Sequence, residues 1–129
     1  MSAGEQLECL DTLGIAYLSD WDVLVFLYRH GMSLAGAGQI ARLLGYDIAV
    51  TGHALDRLES IGLVKRSRTS GSVCLYHFVL STDPVWRNCF QELMSLAENR
   101  AGRLLVAQKL RQPGRRQQRR GGSMVAIKR

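Results

Sequence analysis

The sequence predicts a mainly α chain with one small β-hairpin, and three observations carry that prediction. Apolar residues recur at helical spacing along most of the chain, two short β-rich runs flank a Thr-Ser-Gly-Ser turn, and only two prolines fall within 129 residues. A chain of that length and 47% apolar composition is one domain's worth, with a single core of modest size.

The elements follow in order. Leu7, Leu10, Leu13 and Tyr17 recur at helical intervals, which predicts a first helix over about Glu5–Leu18 with Gly14 as its weak point. Ser19 with Asp22 resembles a capping box, with Asp in place of Glu, ahead of the apolar run Val23–Tyr28. A second helix is therefore expected over about Asp20–Arg29, stopping at Gly31. The stretch Ser33–Gly38 is loop-like, and Gln39–Leu44 is a short helix with Ile40, Leu43 and Leu44 on one face, ended by Gly45.

Asp47 suits the N-cap of the next helix, because its carboxylate can accept from the free amides of the first turn. Leu55 and Leu58 define the buried face of that helix. At about 100° per residue the opposite face carries Ala49, Gly52, His53, Asp56 and Ser60, with Arg57 at its edge. Gly62 closes it. Leu63–Arg68 and Ser72–Leu80 then form the two limbs of the hairpin. Asp83-Pro84 is a strong helix start, an N-cap followed by proline at the first position. From Trp86 through Phe90, Leu93, Ala97, Ala101, Leu104 and Leu105 an apolar stripe predicts one long helix over about 84–111. Pro113-Gly114 ends it, and 113–129 is expected to be a disordered basic tail.

Charge is unevenly spread. Net charge is +6, yet residues 1–102 hold eight Lys+Arg against all eleven Asp+Glu, and residues 103–129 hold nine Lys+Arg and no acid. The basicity therefore belongs to the C-terminal end rather than to the body.

Several function classes lack support. No apolar run is long enough for a membrane span, and the polar, acidic start has neither the basic nor the apolar part of a signal peptide. Cys9, Cys74 and Cys89 are an odd number at irregular spacing, which fits reduced thiols in a cytosol better than a disulfide framework. Cys74 and His77, three apart on a strand, point to opposite faces, so a buried Cys74 and an outward His77 are expected instead of a metal site. No phosphate loop, Ser-His-Asp set or carboxylate pair is visible, so neither an enzyme nor a cofactor is expected.

The order helix, helix, short helix, helix, hairpin, long helix carries a resemblance. The stretch Gly38–Arg66 followed by a hairpin resembles the winged helix-turn-helix of bacterial and archaeal transcription regulators, through Ile40-Ala41, Leu44-Gly45, Leu55, Leu58 and Gly62-Leu63-Val64. The match covers roughly Asp20–Leu80, about half the chain. The flanking N- and C-terminal helices look like the dimerisation elements of the MarR and ArsR families. The Asp-Arg-Arg often seen at a MarR wing tip is absent, and so is the cysteine-rich metal motif of many ArsR sensors. The resemblance is thus one of architecture, and no ligand comes with it.

The resemblance implies duplex DNA as partner, with the helix Asp47–Ser60 in the major groove and the hairpin Leu63–Leu80 beside it. Carried over by position, Ala49, Gly52 and His53 face the bases, and His53 is the one strong hydrogen-bonding side chain among them. Arg57 would reach a phosphate. Thr51 sits where these folds usually hold an apolar residue, and it too is a candidate for DNA. Lys65, Arg66, Arg68 and Ser70 belong to the wing, which either meets DNA or is a solvated hairpin. Gln39, Arg42 and Tyr46 are candidates for backbone contacts from the preceding helix.

In the tail, Arg115, Arg116, Arg119 and Arg120 suit counterion release from a polyanion, or else merely solubilise the chain. Leu104, Leu105 and Leu110 extend past the winged region and ask for another surface. A homodimer with Leu7 and Leu10 of the first helix alongside is the simplest answer. The sequence thus points to a cytoplasmic homodimeric repressor, nucleoid-associated if the chain is bacterial or archaeal, with a small-molecule effector unknown, no membrane partner and no metal. A winged-helix module for protein–protein interaction, without specific DNA readout, is the alternative.

Overall fold

The computed structural model describes residues 2–30, 35–68, 74–79 and 81–111. Its first helix, α1 (Ala3–Leu13), opens on a full capping box in which the Glu5 amide donates to Ser2 Oγ and the Ser2 amide donates to Glu5 Oε1 at 2.9 Å. It ends at Gly14, whose φ of 89° is the left-handed turn that glycine adopts without strain. The expected run to Leu18 therefore stops short, because the glycine terminates the helix instead of weakening it.

The next helix, α2 (Leu18–Arg29), starts earlier than expected. Tyr17 is its N-cap, with no side-chain cap bond, and both Ser19 and Asp20 lie inside the helix and are buried. The Ser19–Asp22 capping box does not form. Burying Leu18 and Trp21 draws the chain into helix before Ser19, and the carboxylates of Asp20 and Asp22 are used by residues from elsewhere in the fold.

Ala35–Gly36, inside the stretch expected as a loop, is a short strand, β1. It leads into α3 (Ala37–Leu44), which Gly45 closes at φ 80°. The cap at Asp47 is formed as expected: its Oδ1 accepts from the Ala49 amide at 2.9 Å and starts α4 (Ile48–Ser60). Gly62, at φ 86°, turns the chain into β2 (Val64–Arg68). β3 (Cys74–Phe78) returns antiparallel to it, with Val64 opposite Phe78 and Arg68 opposite Cys74. β1 pairs with the other edge of β3, Ala35 opposite Tyr76, so the sheet is three-stranded in the order β1-β3-β2. A two-residue strand has no sequence signal of its own; only its partner on β3 defines it.

The stretch expected as one long helix is two. α5 (Pro84–Ala97) begins under the Asp83 cap and stops, and α6 (Arg100–Lys109) begins afresh at Asn99, whose Oδ1 accepts from the Gly102 amide at 2.7 Å. Gly102 lies so close to α5 that a Cβ there would overlap the Leu96 carbonyl. The chain thus folds back at residues 98–99. Arg111 then runs beside Tyr17 in a parallel bridge, donating its amide to Ala16 O at 3.1 Å and accepting from the Leu18 amide at 2.8 Å.

One core joins these elements. Leu10, Leu24, Ile40, Leu55, Leu58, Leu93 and Val106 are all fully buried in it. Phe90 is its aromatic hub, stacked on Phe78 at 4.9 Å and on Trp86 at 5.5 Å, with Tyr28 edge-on at 5.0 Å. That contact ties the base of the hairpin to α2 and α5. The chain is mainly helical with a small antiparallel sheet, an arrangement compatible with a winged helix. Among the described residues no helix is long and apolar enough to cross a membrane.

Candidate nucleic-acid interface

α3, the turn at Gly45–Asp47 and α4 place the candidate residues. Ala54, Leu55 and Leu58 hold α4 against the core, leaving Ala49, His53, Asp56 and Ser60 exposed and Gly52 half-buried. Among the described residues a Cβ built on Gly52 would meet nothing within 4 Å, so their packing does not demand glycine there. On α3, Gln39 and Arg42 are exposed. So are two large apolar side chains on the same pair of helices, Leu43 at 61% and Ile48 at 59%.

Thr51 lies on the other side. It is fully buried, and its hydroxyl finds no partner among the described residues. It occupies the apolar face of α4, so it is not available to DNA.

Arg57 turns inward. Its Nε and Nη2 donate to the two Asp20 carboxylate oxygens at 2.9 and 2.8 Å, and its guanidinium lies 4.2 Å from the Tyr17 ring centre. Burial pushes the Asp20 carboxyl up, partly opposed by Arg57, and the Asp20 hydrogen bonds raise the Arg57 guanidinium. The pair engages Arg57 with the chain's own acid.

Tyr46 is also engaged within the chain. Its hydroxyl donates to Asp22 Oδ2 at 2.7 Å, and the same carboxylate accepts from Arg103 Nη2 at 2.8 Å. Burial, then the bond to Asp22, holds the phenol far above its usual range. Tyr46 braces the α3–α4 turn against α2 and α6.

On the hairpin, Lys65 is exposed, and no described residue forms an ion pair with it. Arg66 donates to Glu59 Oε1 at 2.9 Å and to Asp56 Oδ1 at 3.3 Å, and its guanidinium sits 5.6 Å from the Tyr76 ring centre. The hydrogen bond to Glu59 raises it further above its usual value. Periodicity alone does not connect Asp56 and Glu59 to the hairpin; their one-turn spacing on α4, just before it, is the available signal. The Arg68 backbone pairs with Cys74 in the sheet. Ser70 and the tail residues Arg115, Arg116, Arg119 and Arg120 lie outside the described residues. Cys74 and His77 are both half-buried, so the expected contrast of a buried thiol and an outward imidazole is not found. His77 Nδ1 is 3.4 Å from Ser67 Oγ.

The leucines expected at a dimer surface are distributed differently. Leu10 and Leu110 are buried in the chain's own core, Leu7 and Leu105 are half-buried, and Leu104 remains 55% exposed. The fold-back of α6 is the reason. Below the α3–α4 turn a cleft of about 210 Å³ opens between α2 and the α5–α6 junction, lined in part by Trp21, Phe26, Arg29, Leu44 and Arg103. Among the described residues no group of three or more His, Cys, Asp or Glu is placed to hold a metal ion.

Scanned against models of protein families and against curated proteins, the chain matches none.

Proposed function

We propose that the chain is a winged-helix regulator that binds duplex DNA as a homodimer, with α4 in the major groove and β2–β3 as the wing. The observation that carries this reading is Gly52. Glycine in a helix interior costs about 1 kcal/mol relative to alanine, and here no neighbour among the described residues requires it. A missing side chain in the middle of an exposed helix face suits the close approach of an outside surface. Ala49 and His53 flank it on that face. Small residues favour fit to groove shape over base-by-base readout, with His53 as the one hydrogen-bonding reader.

The charge arrangement narrows the contact set. Arg57 and Arg66 are held by Asp20, Asp56 and Glu59, so Arg42 and Lys65 supply the phosphate contacts of the described body, with Gln39 beside them. The Arg-rich tail adds affinity that does not depend on sequence. Repression by occupying a promoter is the simplest mechanism for such a dimer.

A second reading, an interaction module that does not read DNA, is favoured by one observation: the exposed apolar pair Leu43 and Ile48 on the same two helices. Fluorescence anisotropy with duplex DNA across a salt series separates the two readings, using the full chain and a truncation after Gln112. Under the proposal the truncated chain still binds and still prefers some sequences in a selected pool. Binding that leaves entirely with the tail would give the second reading instead.

A further inference from the structure

Two thiols that are eighty residues apart in sequence meet between α1 and α5: Cys9 Sγ lies 2.7 Å from Cys89 Sγ, closer than ordinary sulfur–sulfur contact. Both are free cysteines. The helices around them are held in register by a second cross-contact one turn away on each, where Gln6 Nε2 donates to Glu92 Oε1 at 3.0 Å. Closing a covalent bond of about 2.05 Å asks each sulfur to move by only a few tenths of an ångström.

We propose that Cys9 and Cys89 are a reversible dithiol–disulfide pair, a covalent clamp between α1 and α5 that forms by exchange with small-molecule disulfides of the glutathione class. The proposal stands on the contact between the two helices and is independent of the DNA-binding reading.

The two sulfurs have different roles. Cys9 is buried, and burial together with its contact to Cys89 pushes its thiol up to about 12, so it does not start the exchange and gives up its proton only to the thiolate that leaves in the second step. Cys89 is half-buried where Cys9 is buried, so it is the one an outside reagent reaches. In the first step Cys89 gives up its proton and attacks one sulfur of the small disulfide. The reagent's S–S bond breaks, one small thiol leaves with a proton, and the other half stays on Cys89 as a mixed disulfide. In the second step Cys9 attacks the Cys89 sulfur, the mixed disulfide breaks, and the second small thiol leaves with the Cys9 proton. Two protein thiols are oxidised and one small disulfide is reduced to two thiols. Cys74, at the hairpin, stays out of the exchange.

The test uses the full, reduced chain equilibrated with graded oxidised and reduced glutathione, quenched, alkylated and read by intact mass and peptide mapping. The expected product is a single chain that has lost two hydrogens, with the Cys9 and Cys89 peptides joined and Cys74 alkylated. The mixed glutathione adduct should remain a minor species throughout. Removing the second thiol by Cys9→Ser should leave that adduct on Cys89 as the end product. Because Cys9 is buried, the wild-type chain carries the decisive measurement if this variant misfolds. The oxidised wild type should also melt several degrees above the reduced form, a gap absent in Cys89→Ser. Thiols that stay free, a persistent glutathione adduct on the wild type, or a bridge through Cys74 or between chains would each overturn the proposal.

Discussion

Arg57 and Asp20 stand 37 residues apart in sequence and meet in a two-pronged ion pair, with Asp20 only 2% exposed and Arg57 at 39%. The asymmetry sets the energetics. The acid has been taken out of water and depends on its partner, whereas the guanidinium keeps part of its hydration.

Arg57→Ala should therefore destabilise the fold by about 2–3 kcal/mol near neutral pH, somewhat below the cost of stranding a fully buried charge because the site is partly open. Asp20→Asn, which leaves an exposed guanidinium and a neutral amide, should cost about 1 kcal/mol. The pH dependence has a definite sign. The Asp20 carboxyl is already held above its ordinary value. A carboxyl with a raised folded pKa favours the fold fully below its unfolded value, and that contribution is lost as pH rises through the folded value. Removing Arg57 raises the carboxyl further, so the Arg57→Ala deficit in urea titrations should narrow as pH falls from neutrality into the acid range. A deficit constant across that range would mean that the stranded acid is not its cause.

Gly52→Ala should separate stability from binding. The Cβ enters open space, so the fold should gain about 0.5–1 kcal/mol by thermal or urea denaturation. Under the groove-binding reading the same methyl stands between α4 and the DNA, and affinity for duplex should fall several fold. A variant that is more stable and binds equally well would remove Gly52 from the interface.

Most local chemistry was readable along this chain, the Ser19–Asp22 box excepted, and contacts at long range were not. The Asp47 and Asp83 caps and the stops at Gly45 and Gly62 depend on residues within one turn of each other, and each formed where its sequence signal lay. The single long C-terminal helix was misread because the apolar stripe keeps its helical phase across residues 98–99, so periodicity registers no break there. The Asn99 cap and Gly102 were the signals available, and both acquire meaning only from the fold-back onto Leu96. Arg57, Arg66 and Tyr46 read as DNA contacts because side-chain type and helix face are visible in sequence, whereas a partner 37 residues away, as Asp20 is for Arg57, is not. The face of α4 itself was legible, with Thr51 the exception: a polar residue at a buried position.

Lys65 and Arg66 give the hairpin its own test. Each phosphate contact contributes about 0.9 to the slope of log affinity against log salt. Lys65→Ala should lower the slope by close to that amount, since no described residue forms an ion pair with Lys65. Arg66→Ala should lower it less, because Asp56 and Glu59 already neutralise the guanidinium. The reverse order would mean that DNA draws Arg66 off its acids on binding.

The position of α6 rests on Gly102. A methyl there overlaps the Leu96 carbonyl, which is backbone and cannot swing aside as a side chain would. Either α6 moves away from α5 or the α5–α6 turn opens, and both loosen the packing of Val106 and Leu110, which the fold-back buries. Gly102→Ala should cost about 3 kcal/mol, the upper end of what an intruding methyl does in a packed interior. For a domain of this size that lowers the melting temperature by on the order of 10 °C. Leu104→Ala provides the control: at 55% exposed on the same helix, it should shift the melt little. If Gly102→Ala melts with the wild type, α6 is not held against Leu96 in solution, and the long continuous helix that the sequence pattern suggests becomes the better description of residues 84–111.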